Sequence, residues 1–399
     1  MTSLRFVAAM LVVVFHLSVY LSPLPFLGQL MRAGYVGVTF FFVLSGFVLT
    51  YSWDSEARAT RFYRRRFARV YPVHLFFVVV AMLPFNPTPN WAALPANVLL
   101  VQSWSPDDAV ARSFTGVSWS LSCELFFYAV FPLLVRWLMR VRGPLAMSAL
   151  LVVLAGATGV ALQTSGSEWG LWLFHLPAFR IVEFICGALA ATAVMRGTAP
   201  RVRVRWASSS VAISYLGILI LPVLIGYRLE DQWGLSLAMV PGFVALIVAC
   251  AHLDLARAPS PLRSRTAVSL GQWSFCIYMA HPAAIAVTRP LLTSPSPLGA
   301  VLGCLLVAMT VIGVSYLVYT TYERPLERWL RGSDDVRVSD EPTPQAGAAP
   351  PWQPQLARSG RSSTWWPGWA WARGGIMGLR PEAVESGGST PEVEGPSAS

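Results

Sequence analysis

The chain has 399 residues, of which 55% are hydrophobic and only 13% are charged. About a quarter of the residues in soluble globular domains are charged, so this composition excludes an ordinary soluble enzyme. The formal net charge is +10, and every basic residue is an arginine. The arginines occur in short runs between apolar segments, without a motif that reads bases or grooves, so we expect no nucleic-acid partner.

Ten apolar stretches are long enough to cross the hydrocarbon core of a bilayer, which takes roughly 20 helical residues. In chain order they cover residues 4–22, 34–52, 68–85, 121–139, 144–163, 172–195, 207–226, 233–251, 273–292 and 298–320. The five cysteines lie far apart within apolar sequence, which predicts small buried side chains. The sequence therefore predicts an all-α, polytopic integral membrane bundle of about ten transmembrane helices.

Arginines accumulate in alternate loops between these stretches, as expected for loops on the cytoplasmic side. The loop between the second and third stretches alone holds arginines at positions 58, 61, 64, 65 and 66. This alternation predicts a multi-pass protein of the bacterial cytoplasmic membrane with both termini in the cytoplasm. Residues 1–331 form the predicted transmembrane domain. Residues 332–399 are rich in Pro, Gly, Ser and acid, which predicts a disordered cytoplasmic tail.

Ionisable side chains inside membrane helices are costly and usually mark a functional interior. Arg5 and His16 lie eleven residues apart, so they project from one helix face and are separated by about 16 Å along the axis. Arg66 and Arg69 share a face at the start of the third stretch. The arginines lie toward the cytoplasmic end of the predicted bundle, whereas His16 lies deeper in the membrane. This distribution predicts that a polyanionic cosubstrate enters at the arginines and reaches His16 with its reactive end.

A polar stripe follows the fourth stretch, because Ser120, Glu124 and Tyr128 recur every four residues. Such a stripe must face protein rather than lipid. His281 lies near the middle of the ninth stretch. His74 and His175 are interpreted as structural hydrogen-bonding groups. Arg180 and Glu183, at i,i+3 spacing, are interpreted as a structural ion pair.

Seven sequence blocks resemble those of the membrane acyltransferase 3 family of bacterial O-acyltransferases, in the same order over about the first 330 residues. The first is LRFVAAMLVVVFH, which resembles the family's arginine, ten residues, histidine motif and holds Arg5 and His16. The others are GYVGVTFFFVLSGFVLT, RRFARVYP, WSLSCELFFY, PAFRIVEFICG, YMAHP and YERP. One departure is Thr39, which stands where many members carry an acidic residue.

This resemblance implies about ten helices and an acyl-CoA donor on the cytoplasmic side. It also implies transfer of a short acyl group, expected to be acetyl, to a hydroxyl of a sugar, polysaccharide or secondary metabolite. The second block and the arginine-rich loop after it look most like actinobacterial members that acylate macrolides and related antibiotics. The expected partners are thus the lipid bilayer, acyl-CoA and a hydroxyl acceptor.

The expected donor site consists of Arg66 and Arg69, with Arg5 as a third phosphate-binding group. His16 is expected to act as general base on the acceptor hydroxyl or to carry the acyl group, with Glu124 orienting its ring.

His281 or Tyr128 would donate a hydrogen bond to the tetrahedral oxyanion. The histidines lie on separate predicted helices without carboxylates at ligand spacing, so no metal is expected.

A transporter or flippase for a sugar-linked or anionic molecule is the alternative, since intramembrane Arg, Glu and His also suit a proton-coupled pathway. Many transporters have two related halves with interrupted helices in corresponding positions. The sequence contains no internal repeat, which favours the enzyme.

Overall fold

The computed structural model describes residues 1–21, 23–54, 59–83, 89–164, 169–224, 233–292 and 296–331. The described residues are predominantly helical and include no β-strand, which confirms the predicted all-α fold. The predicted tail, residues 332–399, lies outside the described residues.

Ten long helices are described, one in each predicted apolar stretch. They are α1 Thr2–Leu17, α2 Val36–Tyr51, α3 Ala59–Val80, α4 Trp119–Leu138, α5 Pro144–Thr164, α6 Pro177–Met195, α7 Val204–Leu224, α8 Val240–Leu255, α9 Arg265–Thr288 and α10 Pro297–Val318. A π-helical turn, Tyr319–Glu323, joins α10 to a final described helix, α11, Arg324–Arg331.

Seven helical segments of the described chain are long and apolar enough to cross a membrane. They are Thr2–Tyr20, Pro25–Tyr51, Trp119–Leu138, Pro177–Met195, Leu237–Leu255, Arg265–Leu292 and Pro297–Arg331. Two shorter apolar segments are Pro144–Gly159 and Val204–Ile220. The protein is therefore a polytopic membrane protein, while the count of about ten spans stays a prediction.

Short elements connect the long helices. The α-helical ones are Pro25–Arg32, Leu94–Val98, Asp108–Ala111, Trp169–His175 and Trp233–Ser236. The 3₁₀ turns are Ser18–Tyr20, Ala33–Tyr35, Trp91–Ala93, Gln102–Trp104, Leu237–Met239, Pro261–Arg263 and Arg289–Leu292.

Helices α2 and α6 cross at a pair of glycines. A Cβ atom at Gly46 would lie 1.9 Å from the carbonyl oxygen of Phe184, and one at Gly187 would lie 1.9 Å from that of Val43. No side chain larger than hydrogen fits at either position. Lipid tails are as apolar as leucine, so membrane helices associate mainly through such close backbone packing.

Helix α1 lies between α2 and α9, again at glycines. A Cβ at Gly37 would lie 2.4 Å from the Ala8 carbonyl oxygen, and one at Gly34 would lie 2.2 Å from that of Leu11. On the other side, a Cβ at Gly271 of α9 would lie 2.2 Å from the Thr2 carbonyl oxygen. The helix that carries Arg5 and His16 is thus fixed at backbone contact on two sides.

We expect Gly187→Ala to destabilise the bundle by about 1–3 kcal/mol, because the added methyl group must separate α2 from α6. Thermal unfolding of the detergent-purified protein measures the change. Gly313→Ala is the matched control, since a Cβ there meets nothing within 4 Å. Equal melting temperatures for the two variants would contradict the close crossing.

Candidate active site

Arg5 lines three neighbouring cavities inside the bundle. The terminal cavity is bounded by Met1, Thr2, Phe47 and Tyr51. The arginine cavity adds Arg66, Arg69, Glu124 and Tyr128 to the lining. The tyrosine cavity is lined by Ser120, Glu124, Ser274, Phe275 and Tyr278. Arg5 therefore connects an opening beside the chain terminus with a polar space deeper in the bundle.

The three arginines of the arginine cavity are not equivalent. The Arg69 guanidinium lies 3.5 Å from a carboxylate oxygen of Glu327 and 3.9 Å from one of Glu323. Two acids that follow α10 therefore compensate its charge. Neither Arg5 nor Arg66 has an ion-pair partner within 4.0 Å among the described residues. The Nε atoms of both are buried without a hydrogen-bond partner there.

Aromatic rings support Arg66. Its guanidinium carbon lies 5.8 Å from the centroid of Tyr128 and 5.8 Å from that of Phe62, both within the range of cation–π contacts. These rings hold the group without cancelling its charge. Two partly buried guanidinium groups thus face one cavity with their charge uncompensated at contact distance, which suits an anionic ligand.

Glu124 lines both the arginine cavity and the tyrosine cavity. The Tyr128 hydroxyl donates to one of its carboxylate oxygens at 2.8 Å, and the Ser45 hydroxyl donates to the other at 3.3 Å. The i,i+4 spacing of the sequence stripe produces the contact with Tyr128, whereas Ser45 comes from α2. The carboxylate is consequently fixed where the two cavities meet.

The two candidate histidines, His16 on α1 and His281 on α9, form a direct pair. His281 Nε2 lies 3.2 Å from His16 Nδ1, and the ring centroids are 4.8 Å apart. His16 Nδ1 also lies 2.9 Å from the Val12 carbonyl oxygen, and His281 Nδ1 lies 2.7 Å from that of Tyr278. The Tyr278 side chain lines the tyrosine cavity, so this residue connects the cavity to the histidine pair.

The structure brings the predicted site residues together in two groups. Arg5, Arg66, Arg69, Glu124 and Tyr128 share the arginine cavity, while His16 and His281 contact each other. The described hydrogen bonds of Glu124 do not include one to His16. The His16 ring contacts His281, and its expected orientation by Glu124 stays a prediction.

Several contributing residues were missed by sequence reasoning. Glu323 and Glu327, which hold Arg69, belong to the charged segment after the last apolar stretch, where the YERP block was the available signal. Tyr278 was missed as well. Its hydroxyl donates to the Val117 carbonyl oxygen at 2.9 Å and lies 2.8 Å from the Ser120 hydroxyl.

The predicted ion pair on α6 is present and buried. Arg180 Nη2 lies 3.2 Å from a Glu183 carboxylate oxygen, and the side chains are 2% and 0% exposed. The Thr39 hydroxyl donates to Glu183 at 3.0 Å and accepts from Arg180 at 3.2 Å. Thr39 is neutral, so Glu183 supplies the carboxylate that pairs with Arg180 in this cluster.

His74 agrees with its structural interpretation. The side chain is fully buried, and its Nε2 lies 2.8 Å from the Asn97 carbonyl oxygen, which ties α3 to the connection before α4. Across the part of the chain that the structure describes, no group of three or more His, Cys, Asp or Glu side chains is arranged to hold a metal ion.

The fold and the site define a polytopic membrane protein whose interior joins a basic cavity to a histidine pair. The acyltransferase 3 family model, described as an acyltransferase domain, matches residues 1–320, and the chain belongs to this family. The protein is a membrane O-acyltransferase.

The chain is 30% identical to the acyltransferase MdmB of Streptomyces mycarofaciens over 336 residues, which cover 77% of this chain and 85% of that protein. It is also 26% identical to the O-acetyltransferase OatA of Staphylococcus aureus strain NCTC 8325 / PS 47 over 162 residues. That match covers 34% of this chain and 24% of the relative. No solved structure matches the chain.

We expect Glu183→Gln to destabilise the protein by on the order of 3–5 kcal/mol, because it leaves the buried Arg180 charge without its carboxylate. Thermal unfolding in detergent measures the loss. Arg112→Gln is the control, since it removes an i,i+4 pair with Asp108 whose arginine side chain is 53% exposed and should cost at most about 1 kcal/mol. A stable Glu183→Gln protein would show that Arg180 is not held by this pair.

Proposed function

We propose that the protein transfers an acetyl group from acetyl-CoA to a hydroxyl of a sugar, a glycan or a macrolide-like secondary metabolite. The observation that carries this proposal is the pair of unpaired arginines, Arg5 and Arg66, in the cavity next to Glu124. The phosphates of a CoA thioester supply the negative charge that these groups lack, through charge-assisted and bidentate hydrogen bonds.

The spacing of Arg5 and His16 on α1 also supports acetyl-CoA as the donor. Arg5 and His16 are eleven residues apart on one helix, which gives an axial separation of about 16 Å. This separation is comparable to the length of the pantetheine arm. A donor whose phosphates bind at Arg5 and Arg66 therefore extends its thioester along α1 toward His16.

Membrane orientation follows from the arginine-rich loops. Positively charged loops stay in the cytoplasm, which assigns both termini and the end of the bundle that holds Arg66 to the cytoplasmic side of the cell membrane. Acyl-CoA is cytoplasmic, so the donor enters at the end where the arginine cavity lies.

The chemistry assigns one role to His16. The ring takes the proton of the acceptor hydroxyl as the oxygen attacks the thioester carbonyl carbon, and a C–O bond forms. The tetrahedral intermediate then collapses, the C–S bond breaks, and the imidazolium returns the proton to the departing CoA thiolate. The ester and free CoA are the products.

The other candidates take supporting roles. Arg69 is neutralised by Glu323 and Glu327, so we assign it to holding α3 against α11 beside the donor site. Both nitrogens of His281 are already in contact with other groups, so it is a poor oxyanion donor. Tyr128 already donates its one hydroxyl proton to Glu124 and lines the cavity of the arginines, so it is no better placed to donate to the oxyanion. Glu124 lies along the path of the donor.

We expect Arg66→Gln and Arg5→Gln each to raise the KM for acetyl-CoA by about tenfold to a hundredfold, as a lost charge-assisted contact implies. The control is Arg140→Gln, which removes an exposed arginine that lines none of these three cavities. Steady-state release of CoA at varied donor concentration separates KM from kcat. An unchanged donor KM in both cavity variants would contradict the donor site.

We expect His16→Gln to abolish acyl transfer while acetyl-CoA binding persists, because the arginine cavity is unaltered. Release of CoA from radiolabelled acetyl-CoA measures turnover, with a panel of sugar and macrolide acceptors, and equilibrium binding of the labelled donor measures occupancy. If the wild type neither binds nor turns over the donor, the alternative of a transporter for a sugar-linked or anionic molecule takes precedence.

A further inference from the structure

We infer that His281 is a positioning residue, which fixes His16 in the one tautomer that leaves Nε2 as the basic atom. This inference rests on the proposed function, in which His16 is the general base. It differs from the expected arrangement, because a neutral histidine takes the place of a carboxylate beside the base.

The argument begins at Pro282. Within a helix, the carbonyl of Tyr278 would accept a hydrogen bond from the backbone N–H of residue 282, but proline has none. The Tyr278 carbonyl is therefore available, and His281 Nδ1 lies 2.7 Å from it. A carbonyl oxygen only accepts, so Nδ1 of His281 carries the proton and its Nε2, when the ring is neutral, carries a lone pair.

The His16 ring meets two acceptors at the same atom. Its Nδ1 lies 2.9 Å from the Val12 carbonyl oxygen and 3.2 Å from His281 Nε2, the nitrogen that carries the lone pair. The opposite tautomer would direct a lone pair at both groups, which is repulsive. A proton on Nδ1 satisfies both contacts as a shared hydrogen bond, so Nε2 of neutral His16 is unprotonated.

The two histidines differ in how deeply they are buried. The His281 side chain is fully buried, whereas His16 is only partly buried. Both nitrogens of His281 are engaged inside the bundle, so Nε2 of His16 is the nitrogen of the pair without a described contact and, within the proposed function, the basic atom. His281 therefore acts on the reaction through His16.

The proton balance closes with this arrangement. His16 Nε2 accepts the proton of the acceptor hydroxyl and later gives it to the CoA thiolate. The Nδ1 proton stays in place throughout, shared between Val12 and His281. The carbonyl of Tyr278 and the lone pair of His281 align their dipoles with the transient imidazolium, so its charge is stabilised without a neighbouring carboxylate.

Two substitutions of His281 test the inference. Glutamine places an amide oxygen near the position of Nε2 and keeps an acceptor for His16, whereas leucine fills the space without one. We expect His281→Gln to retain kcat within about tenfold, and His281→Leu to lose on the order of a hundredfold in kcat with the donor KM unchanged. A role in packing alone predicts the reverse order, since leucine suits a buried apolar site better than glutamine.

The tautomer itself is measurable by ¹⁵N NMR of histidine-labelled protein, because the chain has only five histidines. The His16 signals, assigned by their absence in His16→Gln, should show a protonated Nδ1 and an unprotonated Nε2 in the wild type. They should shift toward the mixed pattern of free imidazole in His281→Leu. A protonated Nε2 in the wild type would overturn the inference.

The outcomes separate the two levels of the proposal. If His16→Gln retains turnover, the proposed base is wrong, and the role of His281 falls with it. If His16→Gln is inactive but His281→Leu keeps full kcat and the wild-type ¹⁵N pattern, the proposed function stands and the positioning role is wrong.

Discussion

Backbone contact at glycines is the constraint on which this structure depends. In a bilayer the hydrophobic effect does not drive the association of helices, so van der Waals contact between closely packed backbones supplies much of the attraction. The reciprocal contacts of Gly46 and Gly187 place α6 directly against α2. Gly37 and Gly271 place α1 between α2 and α9. The site follows from this arrangement, because Arg5 and His16 can meet groups on α3, α4 and α9 only if α1 is held in the middle of the bundle.

The buried charges divide into compensated and uncompensated ones, and the division has functional meaning. Arg180 is paired with Glu183, and Arg69 is paired with Glu323 and Glu327, so the positive charge of each arginine is compensated within the protein. Arg5 and Arg66 lack such partners among the described residues. Both side chains are partly buried, so they lose part of their hydration without gaining an ion-pair partner, and a bound anion would offset that loss. Without a bound anion, the protein is therefore less stable around this cavity than it would be if both arginines had carboxylate partners. This is expected of a binding site.

The sequence was sufficient for the helices and for contacts within one helix. Apolar length located the ten long helices of the described residues, and helical periodicity placed Glu124 with Tyr128 and Arg180 with Glu183. Contacts between segments that are far apart in the chain could not be predicted from the sequence. His16 and His281 are separated by 265 residues, and the pairing of Arg69 with Glu327 spans 258. Spacing fixes which face of a helix a residue occupies, but only the crossing of helices decides what that face meets.

The Arg66 and Arg69 pair shows why a shared face does not imply a shared role. Both guanidinium groups line the same cavity, as the i,i+3 spacing predicts. Arg69, however, lies toward the segment that follows α10, where the π-helical turn brings Glu323 within reach and α11 adds Glu327. Arg66 lies over the rings of Phe62 and Tyr128, which support a cation but leave its charge in place. One arginine therefore joins the bundle to its last helix, and the other remains available to the ligand.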